Sequence, residues 1–191
     1  MNKDSVITLP HPSLRQRSQR VGYIGEEIKK LIADMQEATL DWEASRAHEL
    51  SVALAAVQVN VLQRVIIIRN NFEDKSDTRF QIYINPEITK YEGELVEDYE
   101  GCLSIRDIYG RVRRHSRVRV KALNEEGRQV RLTAEGFLAR VFQHEIDHTN
   151  GTVFIDHIRD TRDAFFKLND SGELTALDYD ADIKDNPDLW E

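Results

Sequence analysis

The sequence has a single cysteine, Cys102, among 191 residues. One thiol closes no internal disulfide, so pairing says nothing of the redox compartment, and a cytoplasmic setting is the expectation. Basic charge is also scarce: 26 Lys and Arg stand against 34 Asp and Glu, a net charge of -8. That balance excludes a nucleic-acid binder held by a globally basic surface, and no DNA partner is expected. Apolar runs such as Val65 to Ile68 are far too short to span a bilayer, so no membrane association is expected. The first residues, MNKDSVITLPHPSLRQRS, lack the apolar stretch of a secretory signal. Repeats and low-complexity linkers are missing as well. What remains is a globular composition, 40% hydrophobic and 31% charged, in a chain long enough for one core and short for two. A single domain over 1–191 is expected, with an acidic tail from about Arg159 that holds 10 Asp and Glu against 4 Lys and Arg.

Apolar residues at Ile28, Leu31, Ile32, Met35, Ala38 and Leu40 recur at helical spacing, which predicts an amphipathic helix from about Ile24 to Ala47. ELSVALAAVQVN fits no element clearly. Arg64 to Arg69 reads as a buried strand, and Phe80 to Asn85 as another that Pro86 ends. Arg117 to Leu123 alternates, turns through Asn124 to Gly127, and returns over Arg128 to Thr133 as a hairpin. FLARVFQHEIDHTNG, after Gly136, keeps a helical period and is capped by Asn150 and Gly151. A short strand at Val153 to Ile155 follows, and Ala164 to Leu168 is the anchor of the tail. The pattern predicts an α+β fold, with mixed or antiparallel strands packed around a central metal-bearing helix.

That helix carries QHEIDH. Residues four apart share one helical face, so His144 and His148 point two imidazoles at one ion, with Glu145 beside them. On its own such a motif also arises by chance on ordinary helices. Two histidines do not fill a catalytic metal's protein ligand set. Downstream candidates are Asp147, Asp156, His157 and Glu173, but the spacing HExxHxxGxxH fails because Phe154 stands where a third histidine would. Upstream, Cys102 lies in EGCLS; a thiolate with two imidazoles makes three ligands and leaves a corner for water.

EGCLS and QHEIDH together resemble two signature segments of the peptide deformylases, and SVALAAVQ (Ser51 to Gln58) resembles the third, GxGxAAxQ, in altered form. The resemblance covers roughly residues 5–160. It implies a peptide-deformylase-like fold and a hydrolase that removes the N-formyl group from the formylmethionine of new polypeptides. It implies one divalent ion on Cys102, His144 and His148, natively Fe²⁺, with Zn²⁺, Ni²⁺ or Co²⁺ able to replace it. Glu145 would be general base and acid. The Gln58 amide and the Leu103 backbone N–H would meet the oxyanion. Val52, Ala53, Phe137, Arg140 and Val141 would line the substrate pocket. The setting implied is a bacterial or organellar translation compartment, with an N-formylmethionyl peptide as substrate and a transient contact with the ribosome.

Three departures qualify that picture. Ser51 and Ala53 replace the two glycines of GxGxAAxQ, and the methyl of Ala53 narrows the cleft or shifts its preference. Arg140 falls in a region the family keeps apolar for methionine; its guanidinium is expected to snorkel outward, the alternative being a bond to an acid. The acidic tail weakens docking on ribosomal RNA, and the basic run Arg111 to Lys121 reads as the solvated face of a strand. Glu100 is expected to brace the local backbone or a basic partner such as Arg114. Two competitors stand beside the hydrolase: a deformylase-like peptide binder without turnover, and a zinc endopeptidase using HExxH alone.

Overall fold

The computed structural model describes residues 1–46, 49–169 and 171–190. The amphipathic segment forms α1, Glu26–Ala44, with Gly25 as its cap. Glu26 and Glu27 in the first turn suit the positive end of the helix dipole. The expected end at Ala47 lies outside the described residues.

ELSVALAAVQVN divides into a short strand, β1 (Ala53–Ala55), and a 3-10 turn, Ala56–Val59, closed by Asn60 at φ 60°. The next strand, β2 (Val65–Arg69), is buried on both faces. Its alternation sends Val65 and Ile67 toward the α1 core and Ile66 and Ile68 toward a second core. The following strands are β3 (Phe80–Cys102), β4 (Ile105–Leu123) and β5 (Gln129–Glu135); then comes the second helix, α2 (Gly136–Thr149). Two short strands, β6 (Phe165–Leu168) and β7 (Leu174–Ala176), and a terminal turn of helix, α3 (Pro187–Trp190), complete the chain.

The strand order is β1-β2-β3-β4-β6-β7, with β5 also on β4, and the pairings between named strands are antiparallel. Helix α1 covers one side of the β1-β2-β3 part, while α2 packs against β1, β2, β4 and β5. The expected α+β architecture around a central helix is therefore the observed one.

Two local expectations are corrected. Pro86 does not end the strand. The β3–β4 register shifts between Ile84 and Glu87, so the proline, which has no N–H to donate, sits in an irregular stretch and β3 runs on to Cys102. Asn85, at φ 53°, ties this bend down by exchanging two side-chain hydrogen bonds with the Val21 backbone, at 2.8 and 2.9 Å. Val153 to Ile155 is not a strand. The Asp156 carboxylate accepts the Val153 N–H at 2.8 Å and starts a 3-10 helix over Phe154–Ile158. The acidic tail folds back on the body: β6 joins β4, and Ile183 and Leu189 are buried beside Phe154 and Phe165.

Candidate metal centre and cleft

Antiparallel pairing of Cys102 with Ile105 leaves Leu103 and Ser104 as a tight turn between β3 and β4. That turn presents the thiol to α2. Cys102 Sγ lies 3.2 Å from His148 Nε2. The donor atoms of Cys102, His144 and His148 all lie within 4.8 Å of one another. Tetrahedral zinc with sulfur at ~2.3 Å and nitrogen at ~2.0–2.1 Å would place such donors about 3.5 Å apart, so these residues fit a shared ion. Among the described residues this is the one such cluster of three.

The downstream candidates are occupied elsewhere. Asp147 accepts from Arg114 at 2.6 Å and faces His157 at 2.7 Å. Asp156 is held by Arg15 and Val153, and Glu173 by its own turn.

Charge around the cluster favours a cation. Burial pushes the Cys102 thiol up, but the His148 and His144 imidazoles outweigh it and bring it down to about 5. Burial lowers His144, yet the Cys102 sulfur and the Glu100 carboxylate drive it well above its ordinary value. A proton thus competes for lone pairs that an ion would take. Glu145 follows in the chain, 4% exposed, and its Oε2 has no hydrogen-bond partner among the described residues. Burial raises its carboxyl to about 7, against the opposing pull of the two imidazoles.

Gln58 is held by its own turn. Its Oε1 accepts the Ala55 N–H at 2.9 Å, which leaves the Nε2 hydrogens facing Cys102 Sγ (3.4 Å) and Ser104 Oγ (3.2 Å). Glu100 meets Arg114 as expected, at 2.9 and 3.0 Å, and also faces His144 Nδ1 at 3.0 Å. Despite the cost of burial, those neighbours hold its carboxyl well below the usual range.

Arg140 departs from expectation. Its guanidinium is turned inward, 5% exposed, and donates to Glu100 Oε1 at 2.7 Å. Snorkelling loses here because Glu100 supplies a buried counter-charge and nearby strand carbonyls accept from both terminal nitrogens.

A cavity of ≈ 230 Å³ opens beside the cluster. Val52, Ala53, Phe137, Arg140 and Val141 all line it, together with Gln58, Leu103, Cys102, His144 and Glu145. His148 lies behind, fully buried. The sequence reading missed Trp42, Glu49, Leu50, Tyr99 and Tyr109, which complete the wall. Tyr109 is the register partner of Gly101 and its ring lies on that glycine; a Cβ there would come 2.5 Å from Tyr109 Cε1. Only the strand register could have revealed this pairing. Ser51 is fully buried, with its N–H on Glu43 and its carbonyl on Arg69, so it holds the start of the cleft strand without facing the cleft.

A helix-borne HExxH pair that meets a strand-borne thiol at the inner end of a cleft defines a metal-binding protein of hydrolase type. The chain belongs to the peptide deformylase family. The family described as Polypeptide deformylase matches residues 3–164. A peptide deformylase of Thermomicrobium roseum is 40% identical over 175 residues, which span 90% of this chain and 94% of that one. Peptide deformylase 1 of Ralstonia nicotianae is 41% identical over 157 residues, 81% of this chain and 85% of that one. A peptide deformylase from Synechococcus elongatus, crystallised with actinonin, superposes with a TM-score of 0.73 at 36% identity, over 82% of this chain and 80% of that one. No helix among the described residues is long and apolar enough to cross a membrane.

Proposed function

We propose that this protein is an active deformylase, which hydrolyses the formyl amide at the N-terminal formylmethionine of newly made polypeptides and releases formate. The observation that carries this reading is the meeting of Cys102, His144 and His148 beside a buried Glu145 whose Oε2 has no partner among the described residues.

In this reading Cys102, His144 and His148 hold one divalent ion, natively Fe²⁺, with Zn²⁺, Ni²⁺ or Co²⁺ as substitutes; a thiolate-imidazole donor set accepts each of them. When bound, the ion supplies Lewis acidity that makes water a nucleophile near neutral pH. Glu145 takes the proton of the attacking water and returns it to the leaving amine. The Gln58 side-chain amide and the Leu103 backbone N–H donate to the oxyanion that forms at the formyl carbon. Val52, Ala53, Phe137, Arg140 and Val141 hold the first side chain of the peptide. The peptide backbone adds to β1, which among the described residues ends the sheet and has β2 on one side alone. The chain acts as one catalytic unit over 1–191, in keeping with tail strands that extend the main sheet. Contact with the ribosome is transient, since the tail is acidic and its apolar residues are buried against the body. The setting is cytoplasmic.

The test is formate release from formyl-Met-peptides that vary at the first side chain, with acetyl-Met-peptides as the control. Release from the formyl series alone is expected. Binding of both series without turnover would favour the peptide-binder alternative. Loss of activity on exposure to air, restored by anaerobic Fe²⁺, is expected if iron is native.

A further inference from the structure

Arg140 and His144 stand four residues apart on α2, and both reach the same carboxylate. Glu100 Oε1 accepts Arg140 at 2.7 Å, while Glu100 Oε2 lies 3.0 Å from His144 Nδ1. Residues at this spacing are neighbours on one helical face, so a carboxylate between them is gripped by a single turn of helix. Glu100 belongs to β3, two residues before Cys102. The grip therefore joins the strand end that carries the sulfur to the helix that carries both imidazoles.

The same guanidinium also donates to the carbonyls of Val96 (2.7 Å) and Asp98 (3.4 Å) on β3 and of Val112 (2.8 Å) on β4. Arg114 holds Glu100 as well; it lies on β4 and reaches α2 through its NH1, which donates to Asp147. Of the two arginines on Glu100, Arg140 is the one borne by α2. The need for such a brace is uneven across the pair of histidines. His148 Nδ1 is buried with no partner among the described residues, so the Glu100 bond to His144 is the outer hydrogen bond that orients the pair. Outer hydrogen bonds of this kind fix ring orientation and raise the basicity of a metal-binding imidazole.

We propose that Arg140 is a positioning residue for the Cys102, His144 and His148 set: through Glu100 it registers the end of β3 against α2 and fixes the His144 ring. The proposal rests on those three residues being the metal ligands. Its readout is Co²⁺ bound to the folded protein, followed by competition titration and by the ligand-field absorption bands. Arg140→Met is expected to weaken Co²⁺ binding about 10- to 100-fold and to shift the bands. Arg140→Lys, which keeps a cation on Glu100, is expected to recover part of both. In a Glu100→Gln background, Arg140→Met is expected to add nothing further, since the two act in series. If Arg140→Met does not fold, Arg140→Gln replaces it; it keeps donors toward the strand carbonyls and drops the charge. A neutral variant that is folded and has unaltered affinity and bands overturns the proposal. So does a loss that persists in full without Glu100. If the wild-type protein itself fails to bind Co²⁺, the metal reading fails instead, and the two failures are told apart.

Discussion

Along α1 the inward residues are mostly Ile28, Leu31, Ile32, Met35 and Ala38, with Lys29 and Lys30 left in water. Along α2 the buried residues include Arg140, Gln143, His144, Glu145 and His148. The first helix is held by transfer of an apolar stripe out of water, which needs only shape and volume from its neighbours. The second buries groups that would destabilise the fold if left without partners. The sheet supplies those partners. Gln143 exchanges two hydrogen bonds with the His115 backbone, at 3.1 and 2.9 Å, and Glu100 takes Arg140 and His144. Among the described residues of α2 the exceptions are Glu145 Oε2 and His148 Nδ1. Polar burial that is matched at Arg140 and Gln143, and unmatched at two groups of the candidate metal centre, separates a working helix from a supporting one.

Substitutions on the two helices and around the cluster can break that contrast. The largest effect is expected at Cys102→Ala, which should abolish metal retention, measured by elemental analysis, and reduce formate release to background. An endopeptidase using HExxH alone would keep its ion. Glu145→Gln should retain metal and bind peptide yet lower kcat by about 10²–10⁴-fold; turnover at the wild-type rate would remove Glu145 from the chemistry. Gln58→Ala should lower kcat by about 10²–10³-fold, the usual loss of one oxyanion donor. An effect confined to KM would make Gln58 a binding residue instead. The smallest effect on catalysis is expected on α1. Met35 is fully buried, and Met35→Ala should cost about 2–5 kcal/mol by chemical denaturation while kcat per folded molecule stays unchanged. A matching fall in kcat would mean that the supporting helix shares in the chemistry.

Much of this organisation was readable along the chain. The period of Ile28, Leu31, Ile32 and Met35, the strand Val65–Arg69 and the helix bearing QHEIDH are local patterns, and local patterns survive folding when their faces match the core. The pairing of Glu100 with Arg114 was also anticipated. The long reach of β3 was not, because a proline is tolerated where the ladder is already irregular, and irregularity depends on the partner strand. The direction of Arg140 was misjudged because a lone arginine prefers water, and the carboxylate that reverses this lies 40 residues away. The aromatic wall at Tyr99 and Tyr109 follows from register across β3 and β4, which alternation on a single strand does not encode.

Residue type and spacing by themselves put two imidazoles on one face of a helix, and the resemblance of EGCLS and QHEIDH to a known family pointed to the Cys102 thiol as the third donor. Only the tertiary structure decided how those donors converge and which charges surround them. Distances between strand and helix, and the buried balance among Glu100, Arg114 and Arg140, arise from pairings across the whole sheet. Electrostatic energy in a dry interior depends on those distances far more than on order along the chain.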